Sequence, residues 1–201
     1  MCIRDSRGIA HSERFEDASV FADPGLELLQ SWVALPEKDE ELEPAFDHYP
    51  VRTLPEARDR GTWMRLIAGE AYGMSSPVKT RSPLFQLHAV VQAGSKLDLP
   101  AGYSERAAYV VAGRVESGGR ELVPGQMQVF DGGTTPVLQA REASTVLLLG
   151  GEPLGERYVW WNFVSSRKDR IEQAKADWKA GRIALPPNDA GEFIPLPEDR
   201  R

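Results

Sequence analysis

From about Val51 onward the sequence breaks into short apolar runs separated by glycine and proline, and that punctuation limits the fold more than any other feature. The runs are Thr62–Ala71, Leu84–Ala93, Ala107–Val115, Gln126–Phe130, Pro136–Ala140, Ser144–Leu149 and Tyr158–Val164. Many short strands with turn signals at this spacing predict a β-sandwich or barrel. The turns are chemically apt: Ser117-Gly118-Gly119, Pro124-Gly125 and Asp131-Gly132-Gly133 all tolerate tight or left-handed backbone.

Upstream, Pro24-Gly25 supplies a turn and residues 26–35 read as a strand. Leu26, Leu28, Gln30, Trp32 and Ala34 share one face, and Glu27, Leu29, Ser31, Val33 and Leu35 the other. So apolar a run suits a strand covered on both sides. Pro36 stops it. The acidic stretch Glu37–Glu43 that follows predicts a solvated loop or a short helix before Pro44. Downstream, Ile171, Ala174 and Trp178 recur at helical spacing. Ser165 or Ser166 is the expected cap, Asp169 is placed for a capping box, and Gly181 is the expected stop. The proline-rich tail from Leu185 predicts extended chain, tied down by Phe193, Ile194 and Leu196.

Composition narrows the function. With 41% hydrophobic and 27% charged residues, the chain can build a core. A net charge of −6 disfavours direct binding of nucleic acid or anionic membrane. No apolar run is long enough to span a bilayer. Cys2 is the single cysteine, which rules out an intrachain disulfide and fits a reducing, cytoplasmic setting.

The sharpest chemical feature is Gly8-Ile9-Ala10-His11-Ser12-Glu13. On an extended chain, residues two apart face the same way, so His11 and Glu13 project together. An imidazole nitrogen and a carboxylate converging on one point make half of a first-row metal site. Taken alone the pair is a weak signal, because solvated His and Glu neighbours are common.

The same segment is similar to one in the pirin family. Gly25–Pro36 resembles the family's next strand, and Pro44-Ala45-Phe46-Asp47-His48-Tyr49 also has its look. Gly150–Leu154 resembles the turn before the closing strand of the family's second cupin. Tyr158–Ser166 resembles that strand and the following helix start, and Glu192–Pro197 the family's terminus. The likeness runs in order from residue 7 to about 198. It implies a mainly β, cupin (double-stranded β-helix or jelly-roll) fold from a bicupin metalloprotein, and the following division. Residues 1–6 are a non-native scar or tail, 7–50 a remnant of the N-terminal cupin, 51–164 the C-terminal cupin, and 165–201 the C-terminal helix and extended tail.

The resemblance also implies chemistry. The family's first cupin holds one metal, described as iron, with nickel, copper, manganese or zinc as alternatives, through three His and one Glu. His11 and Glu13 match two of those ligands. The other two lie on an upstream His-x-His strand that this sequence lacks, so the chain reads as N-terminally truncated. His48 and His88 do not replace them; the expected roles are packing or hydrogen bonding. The second cupin reads as metal-free: Leu99–Tyr103 and Gln126–Val129 stand where a metal-binding cupin would carry histidines, and Glu105 alone is no site. Two functions follow for the whole protein. One is a quercetin 2,3-dioxygenase-type oxygenase acting on a flavonol-like small molecule, with Glu13 as catalytic base. The other is a metal-responsive regulator binding a protein partner. For the chain itself, half a ligand set implies an inactive fragment.

Overall fold

The computed structural model describes residues 2–4, 6–13 and 28–197. In chain order the strands are β1 (Cys2–Arg4), β2 (Ala45–Asp47), β3 (Glu56–Asp59), β4 (Thr62–Ala71), β5 (Met74–Ser75), β6 (Leu84–Val91), β7 (Lys96–Asp98), β8 (Glu105–Ala112), β9 (Val115–Ser117), β10 (Arg120–Leu122), β11 (Met127–Phe130), β12 (Val137–Ala140), β13 (Ser144–Gly151), β14 (Tyr158–Trp160) and β15 (Phe163–Ser165); the helix α1 (Lys168–Lys179) follows. The chain divides into two compact units. One takes in Phe46–Pro153; the other joins the described parts of Ile3–Ala45 to those of Leu154–Arg201.

The first unit is built from two antiparallel sheets. A seven-stranded sheet runs β11-β8-β13-β6-β4-β3 with β5 on β4, and a four-stranded sheet runs β10-β9-β12-β7. Alternation explains why these residues make strands with one buried face. On β4, Thr62, Met64, Leu66 and Ala68 are buried while Trp63, Arg65 and Ile67 alternate with them. Phe85, Leu87, Ala89 and Val91 on β6, Ala108 and Val110 on β8, and Val146 and Leu148 on β13 point the same way. They meet Leu97, Val115, Leu122, Leu138 and Ala140 of the smaller sheet in one core. Full burial of each Leu, Val or Phe contributes about 1.5–3 kcal/mol.

The strands expected in this unit are present, one of them split, while β3, β5, β7 and β10 were not expected; two local irregularities are informative. Residues 107–115 are not one strand: Gly113, at φ +79°, ends β8 and starts the turn to β9. A side chain there would meet the Ala143 carbonyl at 2.4 Å. On β4 the pairing with β6 slips between Leu66 and Ala68. Gly69 follows at φ +74°, where a Cβ would sit 1.7 Å from the Leu84 carbonyl oxygen. The slip bends a long strand while keeping its apolar side inward on both sides of the irregularity.

In the second unit, residues 158–164 fold as a hairpin rather than a strand. Trp160 pairs with Phe163, and Trp161-Asn162 makes the turn, with Trp161 at φ +51°. Asn162 was the lone turn signal in an otherwise aromatic and β-branched run. Trp161 packs edge-on against Phe163 and Trp178, and Trp178 against Phe193. The Trp178 indole donates to the Ile194 carbonyl at 2.9 Å, which ties the tail to α1. Of the two residues expected to dock the helix, Ile171 is buried and Trp178 half-buried; Ala174 is buried as well, and Gly181, at φ +64°, follows the helix. The cap differs. Arg167 is the N-cap and no side chain caps the helix; the Ser165 and Ser166 hydroxyls donate to Glu40, and Ser165 Oγ also accepts from the Arg167 amide.

Residues 28–35 form no strand. Leu28, Leu29, Trp32 and Val33 are exposed. An apolar run becomes a strand only where a ladder partner takes its backbone groups, and the described residues supply none for this segment. Of the predicted run, residues 26 and 27 and the Pro24-Gly25 turn lie outside the described residues.

Candidate functional site

The segment carrying His11 and Glu13 is tethered at its start. The Arg7 amide donates to the Leu42 carbonyl at 3.3 Å, and the Arg170 guanidinium donates to the Arg7 carbonyl at 2.7 Å. Arg7 also forms an ion pair with Glu43. Beyond that anchor, residues 8–13 are coil, and His11, Ser12 and Glu13 are exposed. Among the described residues no three His, Cys, Asp or Glu side chains come together as a metal would require. His48 is exposed in coil after β2, and His88 lies on β6. The donor set present, one imidazole and one carboxylate in solvent, does not fit a resident metal. A first-row ion held by protein needs further ligands and an ordered supporting shell.

The acidic stretch is more than a solvated loop. Its first part is a one-turn 3-10 helix, Glu37–Asp39, and the next two residues grip the start of α1 and the residues before it. Glu40 accepts hydrogen bonds from the Ser165 hydroxyl (2.9 Å), the Ser166 amide (3.0 Å) and the Ser166 hydroxyl (3.1 Å). Arg157 Nε approaches it at 3.2 Å as an ion pair without hydrogen-bond alignment, and both side chains are only 12% exposed. Arg157 also donates to the Leu35 and Leu154 carbonyls, at 2.9 Å each. Glu41 takes Arg167 and Arg170 at 3.2 and 3.0 Å. Sequence reading missed this clasp because partners more than a hundred residues apart leave no local pattern.

On the outer side of the large sheet, Glu56 accepts from the Trp63 indole at 3.0 Å and from Arg65 Nε at 2.9 Å. The hydrogen bonds from Arg65, then Trp63, hold its carboxyl below the ordinary glutamate range. The Arg65 guanidinium lies 4.7 Å from the Trp63 ring centroid, and the His88 ring meets Trp63 edge-on at 5.3 Å. Burial, and then the Arg65 charge, push the His88 pKa down.

The inward side of the large sheet carries one cation. Arg106 sits on β8 in step with Ala108 and Val110 and is 5% exposed. Its Nη2 donates to the Thr134 carbonyl at 2.7 Å, while its buried Nε has no acceptor. Parity along Glu105-Arg106-Ala107-Ala108-Tyr109-Val110 was the available signal for this inward arginine. Glu105 itself is exposed at the start of β8.

Comparison with known proteins places this architecture. Residues 86–184 match the Pirin C-terminal cupin domain. A Pirin-like protein of Caulobacter vibrioides is 57% identical over 192 residues, which is 95% of this chain and 66% of that protein. The chain belongs to the pirin family. A tomato (Solanum lycopersicum) Pirin-like protein is 30% identical over 191 residues, 88% of this chain and 61% of the relative. Among solved structures, a quercetin 2,3-dioxygenase from Acinetobacter baumannii superposes with a TM-score of 0.74 at 28% identity, across 85% of this chain and 58% of that one. The fold is therefore mainly β and of cupin type, with the single described α-helix after it. This pirin chain spans between 58% and 66% of the lengths of these three proteins. No helix among the described residues is long and apolar enough to cross a membrane.

Proposed function

We propose that this pirin chain is part of a metal-dependent, quercetin 2,3-dioxygenase-type protein, in which His11 and Glu13 are two of the metal ligands and the remaining donors come from residues outside this sequence. The likeness to the Acinetobacter baumannii structure of that name, at 28% identity over 85% of the chain, carries the reading. Iron is the metal we favour and a flavonol-like molecule the substrate. The described residues hold too few donors for a metal, so no reaction step is assigned to them.

The test is expression of the longest open reading frame that contains this sequence. The protein is loaded anaerobically with Fe(II), mixed with quercetin and oxygen, and followed by chromatography. Quercetin consumption that is lost in His11→Ala is the expected result. Metal-loaded protein that leaves quercetin intact overturns the proposal.

A further inference from the structure

Among the described residues of the cupin barrel three buried side-chain atoms lack partners, Thr62 Oγ1, Arg106 Nε and Gln128 Oε1, and the last two lie on the same side of neighbouring strands. Arg106 pairs with Phe130 across β8 and β11, and Ala108 pairs with Gln128. Arg106 and Gln128 are therefore diagonal neighbours on one side of the sheet. That side is the inward one, since Ala108 is fully buried and Phe130 belongs to the core, while Met127 and Val129 on the other side of β11 are exposed. Arg106 Nε is a buried donor with no acceptor, and Gln128 Oε1 is a buried acceptor with no donor. The only hydrogen bond of the guanidinium among the described residues runs to the Thr134 carbonyl, and it forms no ion pair with a described carboxylate. An arginine only 5% exposed and without a counter-anion is costly, and buried polar groups are otherwise almost always satisfied.

We propose that this corner of the barrel binds a small α-hydroxycarboxylate. The ligand carboxylate supplies the acceptor and negative charge that Arg106 lacks. Its neighbouring hydroxyl satisfies the Gln128 amide, and a hydroxyl serves there whichever way the amide is turned, because it both donates and accepts. Diagonal neighbours on adjacent strands stand about 7–8 Å apart, a gap that one ligand of this size bridges through two long side chains. Thr134, in the turn after β11, stands over the arginine as the boundary of the site. The site is independent of His11 and Glu13.

The probe is glycolate, with acetate and sodium chloride at equal ionic strength as controls, added to the purified chain while thermal unfolding is followed. Glycolate should raise the midpoint saturably, by about 4 °C at ten times its dissociation constant. Acetate should act more weakly and chloride not at all. Gln128→Leu should lower glycolate affinity at least tenfold, and Arg106→Met should abolish the shift. Isothermal titration on wild type and Gln128→Leu keeps the test open if the Arg106 variant does not fold. An equal effect of chloride, or no saturable glycolate effect on wild type, overturns the proposal. So does a crystal structure in glycolate with water alone between Arg106 and Gln128.

Discussion

Replacing Glu40 with Ala should weaken the second unit by about 3 kcal/mol, at the lower end of the cost of breaking a buried ion pair because both partners retain some solvent. The magnitude comes from what the substitution strands. Two serine hydroxyls and the Ser166 amide lose a charged acceptor, and Arg157, 12% exposed, keeps only carbonyl partners. Urea unfolding followed by tryptophan fluorescence reads this unit, since Trp160, Trp161 and Trp178 lie within it. A cycle with Glu40→Gln and Arg157→Met separates the charge from the hydrogen bonds, with an expected coupling of about 1–2 kcal/mol. Exchange protection of the amides in β14, β15 and α1 should fall in parallel. A Glu40→Ala variant within 0.5 kcal/mol of wild type, with unchanged exchange there, would refute the view that this carboxylate clasps the unit.

Two further outcomes follow from the barrel. Gly69→Ala should cost several kcal/mol in urea titrations, because the new methyl would lie on the Leu84 carbonyl in left-handed backbone, whereas Gly94→Ala, with φ +79° but nothing within 4 Å, should cost only about 1 kcal/mol. His88 titrates below its ordinary 6.5 in the folded protein, so the folded state resists its protonation. Its contribution is present above pH 6.5 and drains away as the pH falls from there through the depressed folded value. His88→Gln should flatten that part of a midpoint-against-pH curve between pH 7.5 and 5, and an unchanged curve would contradict the assignment.

How much of this was legible beforehand depends on the reach of the interactions. Thr62–Ala71 was readable residue for residue, because alternation and the flanking glycines are local. The split at Gly113 and the turn at Trp161-Asn162 were marked by one residue each and lost within apolar runs. Residues 28–35 have the composition of a strand, yet composition does not supply a ladder partner. Glu40 with Arg157, and Arg106 with Gln128, join residues distant in sequence, so only the fold brings them together. The His11 and Glu13 pair was visible from spacing, and its family meaning from resemblance; its exposure in coil was not.

Metal titration of the purified chain bears most directly on the assignment of His11 and Glu13 as half of a ligand set. Anaerobic Fe(II) and Zn(II) titrations by calorimetry should give weak, sub-stoichiometric binding that falls further in His11→Ala, at least 100-fold below a complete site, since loss of supporting partners alone costs about 10–100-fold. One equivalent of metal bound tightly by this polypeptide, and retained through dialysis, would contradict it.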